Sequence, residues 1–135
     1  MKDLSEKEIA FMVKQALLSC EKAYAQYSGY SVGACLLAAS GEYYHGANME
    51  NASYGGCICA ERTAIVAALY AGERNFRALC VAAKSDEICL PCGICRQFYS
   101  EFCEGDMPVI CANVSGEYEI YAFSDLMPKP FEIKK

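Results

Sequence analysis

Two short segments hold the residue types that can do chemistry. The first is Pro91-Cys92-Gly93-Ile94-Cys95. Two thiolates spaced this way can take two corners of a tetrahedral Zn²⁺ site. At a helix start, positions i and i+3 share a face, and the free N–H groups there stabilise thiolate charge. Pro91 suits such a start, because its missing N–H is not needed there. The second segment is Cys59-Ala60-Glu61. Cys59 offers a third thiolate, and three protein ligands leave a fourth position for water, the layout of a catalytic zinc site. Zinc brings the pKa of such a water near neutrality, and Glu61 is the type of group that carries its proton to a leaving amine. Residues two apart diverge by about 200° around a helix. Cys59 and Glu61 therefore reach one site only if Cys59 lies at the junction before the helix, and the preceding Gly55-Gly56 makes room for that.

Spacing alone leaves two other readings open, a redox C-x-x-C pair and half of a structural zinc knuckle. Cys57 adds a further one: with it, four thiols would close a Cys₄ structural site and make a zinc-stabilised binding module. That reading leaves the placement of Glu61 without a purpose. Three thiolates also give the metal site a net negative charge, which weakens the ion as a Lewis acid. Arg62, next to Glu61, can donate to the ligand sulfurs and draw charge away.

The elements that must position these groups follow from periodicity. Ser5 and Glu8 form a capping-box pattern, and apolar residues at helical spacing predict a helix from Glu6 to Tyr24. Strands are predicted over 32–38 and 43–46, joined by a turn at Ser40-Gly41. Residues 48–56, rich in Asn, Ser and Gly, read as a loop of the kind that carries function on a rigid scaffold. A helix follows from Cys59 and stops at Gly72. Then come a strand over 78–83, a helix opening at Pro91–Gly93 and continuing through Gln97, Phe98 and Phe102, and strands over 107–112 and 118–123. Interleaved strands and helices predict an α/β fold, a three-layer α/β/α sandwich around one mixed five-stranded sheet. Residues 1–135 read as a single domain without repeat or linker.

Composition bounds the function. With 54% hydrophobic and 21% charged residues, the chain can build one core. The net charge of −5, with no Lys/Arg cluster, disfavours a nucleic-acid polymer as partner. No apolar run spans a bilayer, and the first residues lack a signal-peptide core, so a cytoplasmic location is expected. Of the ten cysteines, Cys20, Cys35, Cys80 and Cys111 sit among apolar residues and read as buried thiols.

Residues 59–61 and 91–95 resemble the Cys₃ form of the zinc deaminase signature. Extended to Asn48-Met49-Glu50-Asn51-Ala52-Ser53-Tyr54, Cys59-Ala60-Glu61-Arg62-Thr63-Ala64 and Pro91-Cys92-Gly93-Ile94-Cys95-Arg96-Gln97, the text is similar to the small homotetrameric cytidine deaminases. The resemblance runs from the helix before Tyr27-Ser28 to Phe131. It implies one Zn²⁺ per chain on Cys59, Cys92 and Cys95, with Glu61 catalytic. It implies hydrolytic deamination of cytidine or 2′-deoxycytidine by a zinc-activated hydroxide, in pyrimidine salvage. Asn48 and Glu50 would bind the ribose hydroxyls, and the Ala60 backbone would meet the pyrimidine edge. Tyr30 stands where the family usually has Phe, against the ring. Phe131 would reach into a neighbouring subunit's site, and Tyr54 would touch a neighbour, making a homotetramer with shared sites. Arg62 and Gln97 would support the ligands from behind. A deaminase of a modified nucleoside such as blasticidin S is the alternative within the fold, and the Asn48–Glu50 pair argues against it.

Overall fold

The computed structural model describes residues 3–134. Helix α1 spans Glu6–Ser19 and begins with the predicted capping box, Ser5 and Glu8 each satisfying the other's backbone N–H. It ends earlier than the expected Tyr24. After a single 3₁₀ turn at Cys20–Lys22, Ala23 is extended. Tyr24 instead pairs its backbone with Asn48 and Glu50, through N–H···O bonds of 2.9 Å in each direction. That pairing satisfies the backbone of the segment expected to hold ribose, and a further helical turn would forfeit it.

Five strands follow the expected order: β1 Val32–Ala38, β2 Tyr43–Ala47, β3 Phe76–Ala83, β4 Pro108–Ala112 and β5 Tyr118–Ala122. They form one mixed sheet ordered β2-β1-β3-β4-β5, in which only β3 and β4 run parallel. Helices α2, Ala60–Tyr70, and α3, Gly93–Ser100, flank β3 in the chain. Phe123, expected to end the last strand, opens a short helix α4, Phe123–Leu126, instead. Phe102 falls in the turn after α3 rather than within it.

Strand alternation divides the core into two layers. Cys35, Leu37, Cys80, Ala82 and Ile110 face α1 with Ile9, Met12, Val13 and Ala16. Ala34, Leu36, Leu79, Val81 and Val109 face the other way, packing with Ala64, Ile65 and Ala68 of α2 and Tyr99 of α3. The three-layer α/β/α sandwich is therefore as expected. Cys20, Cys35, Cys80 and Cys111 are all buried, and burial pushes the Cys35 and Cys111 thiols up to about 12, keeping them neutral. Two glycines set how closely the helices approach. A Cβ on Gly33 would lie 1.9 Å from the Ala16 carbonyl oxygen of α1, and one on Gly46 would lie 2.2 Å from that of Ala60 in α2.

Candidate active site

The N-termini of α2 and α3 meet beside the edge of the sheet core. Cys59 caps α2 in an extended conformation (φ −73°, ψ 157°), and Cys92 caps α3 likewise (φ −72°, ψ 167°). Neither has entered helical geometry. That is the condition for Cys59 and Glu61 to serve one site. The Sγ atoms of Cys59 and Cys92 are 3.4 Å apart, and those of Cys92 and Cys95 are 3.3 Å apart. Thiolates on a tetrahedral zinc with bonds of about 2.3 Å stand about 3.8 Å apart, so the cluster is already near the required size. None of the three is in a disulfide. Thiols this close cannot all carry charge unless a cation lies among them. Hydrogen bonding from Cys95, helped by Arg62, pulls Cys59 down to about 5, while the same contact pushes Cys95 up.

Two further observations fit a bound cation. An Arg62 terminal nitrogen lies 3.6 Å from the Cys59 sulfur, and the buried Arg62 Nε has no hydrogen-bond partner. Such a donor set beside sulfur suits thiolates that carry charge. Among the described residues, the only three-residue group of metal-ligand type that closes to within 4.8 Å is Cys59, Cys92 and Cys95. Cys57 stands outside it. Its thiol is taken up by Asn51, accepting from the backbone N–H at 3.3 Å and donating to the carbonyl at 3.6 Å. The closed Cys₄ arrangement is therefore not formed.

Glu61 is almost wholly buried, 3% exposed, in the first turn of α2. Burial pushes its carboxyl up to about 7, with Cys59 adding to the rise, and the Cys95 thiol and Cys92 backbone pulling the other way. A carboxyl poised near neutrality can both take and give a proton. Behind it, the Tyr99 hydroxyl donates to the Glu61 carbonyl at 2.6 Å.

A cleft of about 310 Å³ opens over these groups, lined by Ser28, Tyr30, Val32, Asn48, Glu50, Cys59, Ala60, Glu61, Cys89, Leu90 and Cys92. Asn48 and Glu50 sit on a short bridge, because Met49 pairs with both Tyr24 and Ile58. The expected loop is thus ordered where it matters. The Asn48 side chain accepts from the Val32 N–H and donates to the Tyr30 carbonyl, both at 2.9 Å. Its amide also stands 3.5 Å from the Glu50 carboxylate. Glu50 accepts from the N–H groups of Tyr27 and Ser28, each at 3.0 Å, and from the Ser28 hydroxyl. The Ser28 contacts foremost hold its carboxyl below the usual range. Tyr30 lines the cleft beside Cys89, and burial raises its phenol to about 12, so it is a neutral donor.

Tyr54 and Phe131 lie outside this cleft and are 74% and 72% exposed. Gln97 is not directed at the sulfurs. Its amide clasps the Phe131 backbone, donating to the carbonyl at 2.9 Å and accepting from the N–H at 3.0 Å. Arg96 anchors the same tail by donating to the Leu126 carbonyl at 3.0 Å. Position in the motif suggested support of the metal ligands, but a side chain two residues past Cys95, about 200° around α3, turns to another face. Sequence reading also passed over Ser28, Cys89 and Tyr99. The last was detectable in principle, since it lies four residues after Cys95 on the same helical face.

A three-thiol cluster fed by two helix N-termini, with a buried carboxyl beside it on this sandwich, defines a zinc-dependent hydrolytic deaminase. The chain belongs to the cytidine and deoxycytidylate deaminase family, whose zinc-binding region matches residues 6–112. It is 42% identical to the cytidine deaminase of Sporosarcina psychrophila over 124 residues, 92% of this chain and 91% of that protein. The cytidine deaminase of Halalkalibacterium halodurans is also 42% identical, over 89% of this chain and 91% of its own length. Among solved structures, the cytidine deaminase of Burkholderia pseudomallei superposes with a TM-score of 0.87 at 39% identity, covering 95% of this chain and all (100%) of that one. The Mycobacterium tuberculosis cytidine deaminase gives a TM-score of 0.82 at 27% identity, over 97% of this chain and 100% of that one.

Proposed function

We propose that the protein hydrolyses cytidine and 2′-deoxycytidine to uridine and deoxyuridine, releasing ammonia. The observation that carries this is the Glu61 carboxyl, buried beside the Cys59, Cys92 and Cys95 thiols in a cleft whose other end holds Asn48 and Glu50. Those three thiols are the zinc ligands. Bound zinc supplies Lewis acidity that makes a water nucleophilic near neutral pH.

The protein's own residues do the rest. Glu61 accepts the proton released as water adds at C4 and passes it to the ring N3; it then takes the proton of the new C4 hydroxyl as the carbonyl forms and delivers it to the departing amine. Burial suits it to this, because a carboxyl held near neutrality changes protonation state at little cost. Glu50 accepts from a ribose hydroxyl, and Asn48, held by Val32 and Tyr30, keeps the sugar in register with the ring. Tyr30 offers an aromatic wall, and the Ala60 backbone meets the pyrimidine edge at the helix start. Arg62 draws charge from the Cys59 sulfur and keeps the metal electrophilic. Phe131 and Tyr54 complete neighbouring sites in a homotetramer, which accounts for large aromatics standing exposed on one chain. The place of this activity is cytoplasmic pyrimidine salvage.

The test is Glu61→Gln, read by loss of cytidine ultraviolet absorbance. The variant is expected to keep about one zinc per chain and to lose on the order of 10²- to 10⁴-fold in kcat, the range for a positioned proton carrier. Wild-type turnover in that variant would sink the mechanism.

A further inference from the structure

We infer that Tyr99 is a positioning residue for the reaction, fixing the Glu61 carboxyl relative to the metal ligands through its hydroxyl; this rests on the role given to Glu61 above. Tyr99 is 1% exposed and packs among apolar residues of the α2 side of the sheet. A hydroxyl there costs free energy unless it is hydrogen-bonded, and an apolar side chain would fill similar space without that cost. The hydroxyl's use is therefore informative. It donates to the Glu61 carbonyl at 2.6 Å, a short and fully buried bond. That oxygen also faces the amide one turn further along α2, so the phenol takes its second lone pair.

The bond joins two parts of the site. Tyr99 lies four residues after Cys95 on α3, so one face of that helix presents both a metal ligand and the tether. On its other side, the first turn of α2 is held to β2, where the Thr63 hydroxyl lies 3.0 Å from the Ala47 carbonyl oxygen and 2.8 Å from that of Ala60. Thr63 fixes the turn to the sheet, and Tyr99 fixes it to the helix that carries Cys92 and Cys95. Without the tether, α2 and α3 still pack, but their relative slide is no longer set at Glu61. A misplacement of about 1 Å at a reacting group can cost roughly a hundredfold in rate.

Tyr99→Phe removes only the hydroxyl. The variant is expected to bind zinc fully and keep the charge-transfer spectrum of the cobalt-substituted enzyme, because the three ligands remain. Its KM for cytidine should stay within about twofold, and kcat should fall about tenfold at a temperature well below its melting transition. If the hydroxyl acts through Glu61, adding Tyr99→Phe to Glu61→Gln should cost no further turnover. Tyr99→Met, with an apolar filler of another shape, should repeat the loss should Phe fail to fold. A kcat within twofold of wild type would overturn the proposal. So would multiplicative losses in the double variant, or a loss that merely tracks missing zinc or unfolded protein. An active Glu61→Gln would remove the underlying reading of Glu61 and this proposal with it, whereas an active Tyr99→Phe beside an inactive Glu61→Gln removes only this proposal.

Discussion

Cys59 and Glu61 converge because only one of them is helical. The extended backbone of Cys59 turns its sulfur toward Cys92, and the next residues wind Glu61 back beside it. This much was legible in the residues, since a helix's angular step requires it. The role of Gln97 was not, because its partner, the Phe131 backbone, lies 34 residues further along the chain. Glu50 illustrates the difference at one residue. Its pairing with Asn48 could be read from the text, but the hydrogen bonds from Tyr27 and Ser28 that hold it ionised arise from a distant turn. A bond from a ribose hydroxyl to a charged acceptor contributes about 1.5–3 kcal/mol. Glu50→Gln is therefore expected to raise KM for cytidine by roughly ten- to a hundredfold, with a smaller change in kcat. The carboxyl is shifted down, so it is charged above the ordinary carboxylate range and protonates only below it. The Glu50 contribution to KM should accordingly stay flat from pH 8 to pH 5. A wild-type KM in Glu50→Gln would remove its role at the sugar.

Strands and helices were readable where pattern and local chemistry agreed, as in the capping box and the alternation of β1. They were misread where a long-range pairing outbid local preference, as when Tyr24 left the helix to bond Asn48 and Glu50. The capping box has a pH signature. The Ser5 backbone N–H, then Arg77, hold the Glu8 carboxyl below its ordinary value. A depressed folded value means that Glu8 stabilises the fold above the unfolded value of 4.5, and that this is lost as pH falls through the folded one. The melting temperature of wild type should thus exceed that of Glu8→Gln at pH 7, with the gap closing as pH falls below 4.5 and through the lowered folded value. A constant gap would mean the carboxylate's charge is irrelevant. The two helix-contact glycines separate stability from function. Gly33→Ala would press on α1 at Ala16, on the sheet face opposite α2, and Gly46→Ala on α2 at Ala60, Ala64 and Thr63. Both are expected to destabilise by at least 1–3 kcal/mol, as overpacking does. Only Gly46→Ala should also lower kcat in the fraction that remains folded, because it displaces the turn that carries Glu61. Equal specific activities in the two folded variants would argue against that coupling.

At the scale of the whole molecule, the acidic balance of −5 and the narrow cleft both suit a small substrate. No helix among the described residues is long and apolar enough to cross a membrane. The tail is the more telling feature. Arg96 and Gln97 of α3 hold the backbone at Leu126 and Phe131, yet the Phe131 ring is left 72% exposed. Two side chains from the metal-bearing helix thus order a segment whose aromatic end has little to pack on within its own chain. If that ring seals a neighbour's cleft, activity can be rebuilt from two defective chains. Phe131→Ala retains Glu61 but cannot close its neighbour's site, and Glu61→Gln has no proton carrier but offers an intact Phe131. Alone, Phe131→Ala is expected to show a KM raised about tenfold or more, as truncating a buried aromatic anchor does. Dissociated and reassembled with excess Glu61→Gln, most of its working sites would be capped by an intact ring. The KM of the mixture should then return toward wild type, with turnover in proportion to the Phe131→Ala chains present. Sedimentation should find one species of four chains throughout. A KM that stays high after subunit exchange would place Phe131 in its own chain's site or in none, and a monomer with full activity would remove the shared site altogether.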